Sequence, residues 1–207
     1  MFQISPDALD FAIEHIDTRG DTDILPVPFE YQAIRHTWDD IKRYLVGQDL
    51  DAWAVRPHRR CLAPKSALGL RIATQLDPLD ALLLTALVYE VGGDLESARL
   101  APSDKVVHSY RFSPNLQGQI FDPHWNFDTF RIRSLELAGE ETCTHVVITD
   151  IADFFPRIYS HPLENALSIS TDRDHARVID KFLRELNMGL SYGLPVGPPA
   201  LGYSRTS

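Results

Sequence analysis

The sequence has little cysteine, no long apolar run and no internal repeat. Its two cysteines, Cys61 and Cys143, are too few for a disulfide framework and lack the spacing of a metal site. We therefore expect reduced thiols, as in a cytosolic protein. No apolar run approaches the ~20 residues that cross a bilayer, and the N-terminus lacks the charged-then-apolar layout of a signal peptide. These absences favour a cytoplasmic protein with no membrane partner.

What the sequence does contain suits a globular protein with one local basic region. Its 207 residues can bury a sizeable core, as one domain or as two closely packed lobes. The net charge of −9 argues against a protein that simply coats nucleic acid. Residues 56–71, however, carry five bases and no acid. Such a window favours a phosphate-facing surface, although chance clustering on a solvated loop gives the same pattern.

One stretch, residues 145–156, places a carboxylate at the end of an apolar run. Residues 146–148 are β-branched and uninterrupted, which predicts a strand buried on both faces. Asp150 follows this run, and Pro156 suits the first turn of a helix. A carboxylate that ends a strand beside a cleft is a natural ligand for Mg²⁺. From the spacing alone, a cap on the following helix is the commoner role for Asp150.

Caps and apolar periodicity predict helices in four places. The first helix is expected to begin after Ser5 and to end at Gly20. Another is expected to begin after Asp77 and to close at Gly92–Gly93, with its leucine face in the core. The other two are predicted over residues 33–45 and from about residue 172 to 190.

Between the helices predicted to end at Gly93 and to begin near residue 172, the pattern of residues 106–112 predicts a strand. Alternating side chains from Val106 to Phe112 would share one face. Tyr110 and Arg111 could contact nucleic acid, although ordinary packing is the commoner role for such a tyrosine. A loop and a short helix rich in Trp and Phe are predicted over residues 113–130.

Two motifs resemble those of reverse transcriptases. The segment Asp150-Ile-x-x-Phe-Phe155 resembles the first palm motif of the family, and Gly193-Leu-Pro-Val-Gly-Pro198 resembles the loop that faces template and nucleotide. Both occur in the family's order and at a plausible separation. Residues 21–30 also resemble the N-terminal region of bacterial defence-associated and abortive-infection reverse transcriptases. In that segment, Asp21 and Asp23 suit turns and helix caps better than they suit metal binding.

The resemblance implies an α+β fold, made of the fingers and part of the palm of a right-hand polymerase with a helical N-terminal extension. The extension would cover residues 1–55, a fingers-like region residues 56–140, and the first half of the palm residues 141–207. In the fingers, a hairpin turning at Gly69 would hold the incoming triphosphate with a basic pair. Arginine offers phosphate a planar fork of donors, and lysine offers it a mobile point charge.

The activity implied is RNA-directed DNA synthesis, in which a primer 3′-hydroxyl attacks a deoxynucleoside triphosphate on an RNA or DNA template. Two Mg²⁺ ions, ~3.5–4 Å apart in such sites, would stabilise the reacting oxygens. The resemblance makes Asp150 the catalytic ligand of both metals and the Ile151 carbonyl a ligand of one. Phe155 would exclude a 2′-hydroxyl and so favour deoxynucleotides. The other nucleotide contacts it implies are Lys65, Arg71, Asp153, Phe154, Val196 and Gly197.

The chain also departs from the family. Reverse transcriptases need a second acidic cluster, a Tyr/Phe-x-Asp-Asp hairpin, and these 207 residues contain none. We therefore expect no polymerase activity from this polypeptide alone, and an unprotected edge on the strand at 146–149. The sequence after Pro198 differs from the family's Ser-Arg-x-Leu-Ala, which a one-base shift could restore, so we hypothesise a frameshift near the codons of residues 198–200. The second hypothesis is a non-catalytic module of polymerase-like shape that binds nucleic acid or a partner, and oligomerisation is open.

Overall fold

A computed structural model of the chain describes residues 1–22, 24–64, 69–151, 154–190 and 193–194. Within these residues the fold is mixed α+β, with helices and one antiparallel hairpin. The helices are α1 (Pro6–Arg19), α2 (Glu30–His36), α3 (Trp38–Val46), α4 (Pro78–Ser97), α5 (Phe127–Ala138), α6 (Ser160–Ser170) and α7 (Arg173–Leu186). Short 3₁₀ turns cover Pro102–Asp104 and Phe155–Arg157. The strands of the hairpin are β1 (Arg59–Pro64) and β2 (Leu70–Gln75).

The core lies where α4 packs against α1, α6 and α7. Leu82, Leu83 and Leu87 of α4 are fully buried there, which confirms that the leucine face of this helix is core. Phe182 and Ile179 of α7 complete the cluster from the other end of the chain. Each buried side chain of this size contributes about 1.5–3 kcal/mol, so α4 is the element that holds the described fold together.

The predicted N-terminal caps of α1 and α4 are confirmed, and so is the predicted start of α7 near Asp172. Ser5 Oγ accepts a hydrogen bond from the amide of Ala8 at 3.3 Å, and Asp77 Oδ1 accepts one from Leu79 at 3.0 Å. Asp172 caps α7 in the same way through the amides of the helix's first turn. These bonds satisfy backbone donors that have no partner within the helix, which explains why the helix starts were readable from the sequence.

Three predicted helix boundaries are wrong, one of them because α7 ends at Leu186 rather than near residue 190. The single helix expected over residues 33–45 is split into α2 and α3 at Thr37, whose hydroxyl donates to the carbonyl of Ala33 at 3.1 Å. Such a side-chain bond competes with continued helix. The helix expected to close at Gly92–Gly93 continues to Ser97. Gly92 serves packing rather than termination, because a Cβ at this position would overlap the ring of Phe112.

The two adjacent glycines of α4 therefore make a matched pair for a stability test. Gly92→Ala should lower the free energy of unfolding by about 1–3 kcal/mol, because the new methyl group displaces Phe112. Gly93→Ala should raise it by about 0.8–1 kcal/mol, since a Cβ there meets nothing within 4 Å and alanine favours helix. Urea unfolding measures both changes. Stabilisation by both substitutions would contradict the packing of Phe112 on α4.

The strand predicted over residues 106–112 is also wrong. Within the described residues this segment forms only an isolated bridge between Phe112 and Phe121, and Tyr110 has a positive φ of 55°. Side chains of α4 replace a strand partner. Glu96 accepts from Arg111 Nη1 at 2.7 Å and from the Phe112 amide at 3.1 Å. The alternation of side chains that predicted a strand is therefore not accompanied by strand pairing. The Glu96 carboxylate holds the segment instead.

The central strand predicted at Val146–Thr149 does not form. Residues 144–150 are neither helix nor strand, and Val147 and Ile148 are 81% and 91% exposed rather than buried on both faces. A strand needs a neighbour for its N–H and C=O groups. Among the described residues the only sheet is the β1–β2 hairpin, and this segment makes no backbone–backbone hydrogen bond there.

Asp21, in the connector after α1, does not cap a helix as the sequence favoured. Its side chain is buried, and Oδ1 accepts from Gln75 Nε2 at 3.4 Å. Gln75 also donates to the carbonyl of Pro26 at 2.9 Å, so the end of β2 is fastened to the connector. Burial raises the pKa of Asp21 to about 6, while the bond from Gln75 opposes the rise.

This raised pKa makes stability depend on pH with a definite sign. Between about pH 4 and 6 the folded chain keeps a proton on Asp21 that the unfolded chain releases, so stability falls as pH rises. Asp21→Asn should remove this slope and add about 1–2 kcal/mol at pH 7 relative to the wild type. Thermal melts from pH 4 to 7 check the difference. As a control, Glu141→Gln neutralises an exposed carboxylate and should leave the pH dependence of stability unchanged.

Candidate functional site

Asp150 and Ile151 lie on the surface rather than in a cleft. Asp150 is exposed, and its Oδ1 accepts from the amide of Ile151 at 2.9 Å. Ile151 is 66% exposed. The expectation that Asp150 ends a buried strand is therefore wrong, and its carboxylate is open to solvent.

Phe154 and Phe155 form an aromatic corner after this aspartate. Their rings meet edge to face with centroids 5.3 Å apart. The amide of Arg157 donates to the carbonyl of Phe154 at 3.1 Å and begins the 3₁₀ turn that Pro156 favours. Phe154 is about half exposed and Phe155 is half-buried, so the pair presents an aromatic edge at the surface.

The described part of the second motif is joined by backbone hydrogen bonds to Phe155, the last residue of the first motif, and to Ile158 just after it. The amide of Leu194 donates to the carbonyl of Phe155 at 2.9 Å, and the amide of Gly193 donates to that of Ile158 at 2.7 Å. Gly193 has φ +92°, and a Cβ there would lie 3.4 Å from the carbonyl oxygen of Pro156. The backbone conformation favours glycine here, because L residues rarely adopt this φ.

The hairpin predicted around Gly69 forms, as the antiparallel pair of β1 and β2. Arg71 lies on β2 directly opposite Ala63 and is half-buried. Arg59 of β1 is mostly exposed and pairs with Glu30 at 3.7 Å. The turn of this hairpin contains Lys65, which lies outside the described residues, as do Asp153, Val196 and Gly197.

One arginine of the basic window has a structural role that the sequence did not reveal. The amide of Arg56 donates to Asp80 Oδ2 at 2.7 Å, and its guanidinium lies 4.7 Å from the ring centroid of Trp53. Trp53 Nε1 donates to Asp80 Oδ1 at 2.8 Å. Burial raises the pKa of Asp80, with these bonds opposing the rise. Asp80 lies in the first turn of α4, where an acidic residue is common, and nothing in the sequence indicates that it is buried.

The donor set at Asp150 fits a magnesium ion that arrives with a ligand. One carboxylate and one carbonyl suit Mg²⁺ when substrate phosphates and water supply the remaining oxygens. In the described ranges no group of three or more His, Cys, Asp or Glu side chains could hold a metal alone. A cleft of about 390 Å³ is found elsewhere, beside Tyr44, Trp53 and Arg56. No helix in the described part of the chain is long and apolar enough to cross a membrane.

Comparisons with models of protein families, with curated proteins and with solved structures find no match to this chain. The features that bear on function are therefore the two motifs themselves and the contact between them.

Proposed function

We propose that the chain is part of an RNA-directed DNA polymerase, a reverse transcriptase, and that the corner at Asp150–Phe155 receives a deoxynucleoside triphosphate with Mg²⁺. The observation that carries this proposal is the pair of backbone hydrogen bonds that bring Phe155 and Leu194 together. These residues belong to the two segments that resemble the first palm motif and the nucleotide-facing loop. Two distant segments with the same implied ligand are therefore neighbours.

The roles follow from the chemistry of these residues. Asp150 and the Ile151 carbonyl would hold the ion, which neutralises phosphate charge when bound. Phe155 would close the space beneath the sugar and reject a 2′-hydroxyl. Arg71, with Lys65 from the hairpin turn, would bind phosphate oxygens. The resemblance adds Asp153, Phe154, Val196 and Gly197 as nucleotide contacts, a template and a primer as partners, and a cytoplasmic role in bacterial antiviral defence.

A second candidate is a non-catalytic module that binds nucleic acid or a partner protein. It is favoured by the isolation of Asp150, because the described residues offer no further carboxylates for a complete metal cluster. It differs from the first candidate in a measurable way. Nucleic-acid binding that weakens steeply with salt and ignores Asp150 would support the second candidate.

The test measures nucleotide binding rather than synthesis, because these 207 residues hold one of the two acidic motifs that synthesis needs. Titration of the chain with dGTP, with and without Mg²⁺, should show binding that needs the ion. Asp150→Asn should weaken this binding at least tenfold, about 1.4 kcal/mol, because the amide cannot replace a charged oxygen on the metal.

The matched control is Asp104→Asn, which neutralises an exposed carboxylate outside both motifs. It should leave dGTP affinity within about twofold, a change of roughly 0.4 kcal/mol. Equal affinity of the wild type and Asp150→Asn, or binding that is the same without Mg²⁺, would remove the basis of the polymerase proposal.

A further inference from the structure

The stretch from α5 to Ile151 carries an unusual number of exposed apolar side chains. Helix α5 has no buried residue at all. Nine large apolar side chains of this stretch are at least 43% exposed: Phe127, Phe130, Ile132, Leu135, Leu137, Val146, Val147, Ile148 and Ile151. Apolar exposure on this scale marks an interaction surface rather than an ordinary protein exterior.

We propose that the segment 144–150 is the dimerisation element of this protein and pairs with the same segment of a second copy as an antiparallel strand. Its backbone groups make no backbone–backbone hydrogen bond within the described residues. Five of its seven side chains are β-branched, and it contains no proline and no glycine, which are the properties of a segment that pairs with another strand.

Two-fold symmetry fixes which registers are allowed. Opposite residues of an antiparallel pair project to the same face of the sheet, and the symmetry axis keeps each residue on its own face. The position numbers of opposite residues must therefore both be odd or both be even. Centring the pair on Val147 meets this condition and places the apolar run at the middle, with Val146 opposite Ile148 of the second copy.

Charge is compatible with this register. Residues 144–149 contain no Asp, Glu, Lys or Arg, so two copies with a net charge of −9 each can approach here without local repulsion. Asp150 lies opposite Thr144 of the second copy rather than opposite another carboxylate. A hydroxyl can donate to that carboxylate, so the ends of the paired strands are also complementary.

The exposed area of the segment is that of a small interface, which suits a weak dimer. At roughly 60–120 Å² for each fully buried side chain, Val146, Val147, Ile148 and Ile151 supply about 250–500 Å² from each copy. A standard interface takes ~800 Å² from each partner.

Sedimentation equilibrium of the full chain from about 1 to 100 µM tests the proposal. The mean mass should rise from 23.4 kDa towards twice that value, with a Kd in the micromolar range of about 1–50 µM. Val147→Lys should raise the Kd at least tenfold, because two lysines would meet at the symmetry axis. Val147 is 81% exposed, so circular dichroism and melting temperature should be unchanged.

Ile169→Lys is the matched control, since Ile169 of α6 is 86% exposed and lies outside the stretch. It should leave the Kd within about twofold. A chain that stays monomeric at 100 µM, or a dimer that Val147→Lys leaves intact, would overturn the proposal. Aggregates that grow beyond a dimer would contradict the closed two-fold arrangement.

Crosslinking tests the register itself, in a background in which Cys61 and Cys143 are replaced by serine. Val147→Cys would place the two thiols on residues directly opposite each other, with Cα atoms about 4.5–5.5 Å apart, which is within reach of a disulfide. Val146→Cys would place them diagonally, about 7–8 Å apart. Mild oxidation should therefore crosslink Val147→Cys at least tenfold faster. Equal rates would overturn the register.

Discussion

Glu96→Ala is expected to lower the free energy of unfolding by about 3–5 kcal/mol, because it leaves a buried arginine without its counter-charge. The Arg111 side chain is 4% exposed, and Glu96 is the carboxylate that pairs with it within the described residues, at 2.7 Å. Glu96 also accepts from Arg99 at 3.1 Å and from the Phe112 amide at 3.1 Å. One side chain thus satisfies three donors that fasten the 106–112 segment to α4.

Urea unfolding of Glu96→Ala and Glu96→Gln separates charge from shape. The glutamine keeps an acceptor for one donor but cannot neutralise Arg111, so about half of the loss should remain, roughly 1–3 kcal/mol. Glu136→Ala is the control, because Glu136 forms a comparable pair with Arg133 at 3.1 Å on the exposed helix α5. That pair should be worth about 0–1 kcal/mol. Similar losses at both positions would contradict a special role for Glu96.

Asp80→Ala is expected to lower the free energy of unfolding by about 2–4 kcal/mol. The Asp80 carboxylate is fully buried, and its loss would leave two hydrogen-bond donors without their acceptor. It joins the start of α4 to the segment before the hairpin through the Trp53 indole and the Arg56 amide. That segment is also tied to α7, since Lys181 donates to the carbonyl of Trp53 at 2.5 Å. The loss should therefore destabilise the whole fold rather than one loop.

A double-mutant cycle isolates the indole contact. Trp53→Phe removes the donor while Asp80 keeps its bond to Arg56, and should cost about 1–2 kcal/mol. The loss of unfolding free energy in the double variant should be smaller than the sum of the two single losses by at least 0.5 kcal/mol, as for residues in one hydrogen-bond network. Strictly additive losses would show that the Trp53–Asp80 bond carries no coupling energy.

The helices could be predicted from sequence because their signals are local. Ser5, Asp77 and Asp172 satisfy amides only two or three residues away, so a cap is legible in a short window. Strands depend on partners elsewhere in the chain. The apolar runs at 106–112 and 146–149 both predicted strands, yet one segment is held by Glu96 and the other has no strand beside it among the described residues.

The candidate site divides in the same way. The resemblance singled out Asp150, Phe154, Phe155 and the loop that begins at Gly193 from the sequence alone. The exposure of Asp150 could not, because it follows from the missing strand. The hydrogen-bond network of Trp53, Arg56 and Asp80 could not be predicted from the sequence either. Burial of a carboxylate depends on packing between residues that are far apart in the sequence.

The most direct test of the polymerase proposal locates the ion with Mn²⁺ in place of Mg²⁺. In an amide NMR spectrum of the chain with dGTP, substoichiometric Mn²⁺ should broaden the signals of Asp150, Ile151, Phe155 and Leu194 first. It should leave that of Asp104 sharp. The same titration of Asp150→Asn should lose this selectivity. Broadening that avoids these residues, or that persists in Asp150→Asn, would contradict a nucleotide–metal site at the junction of the two motifs.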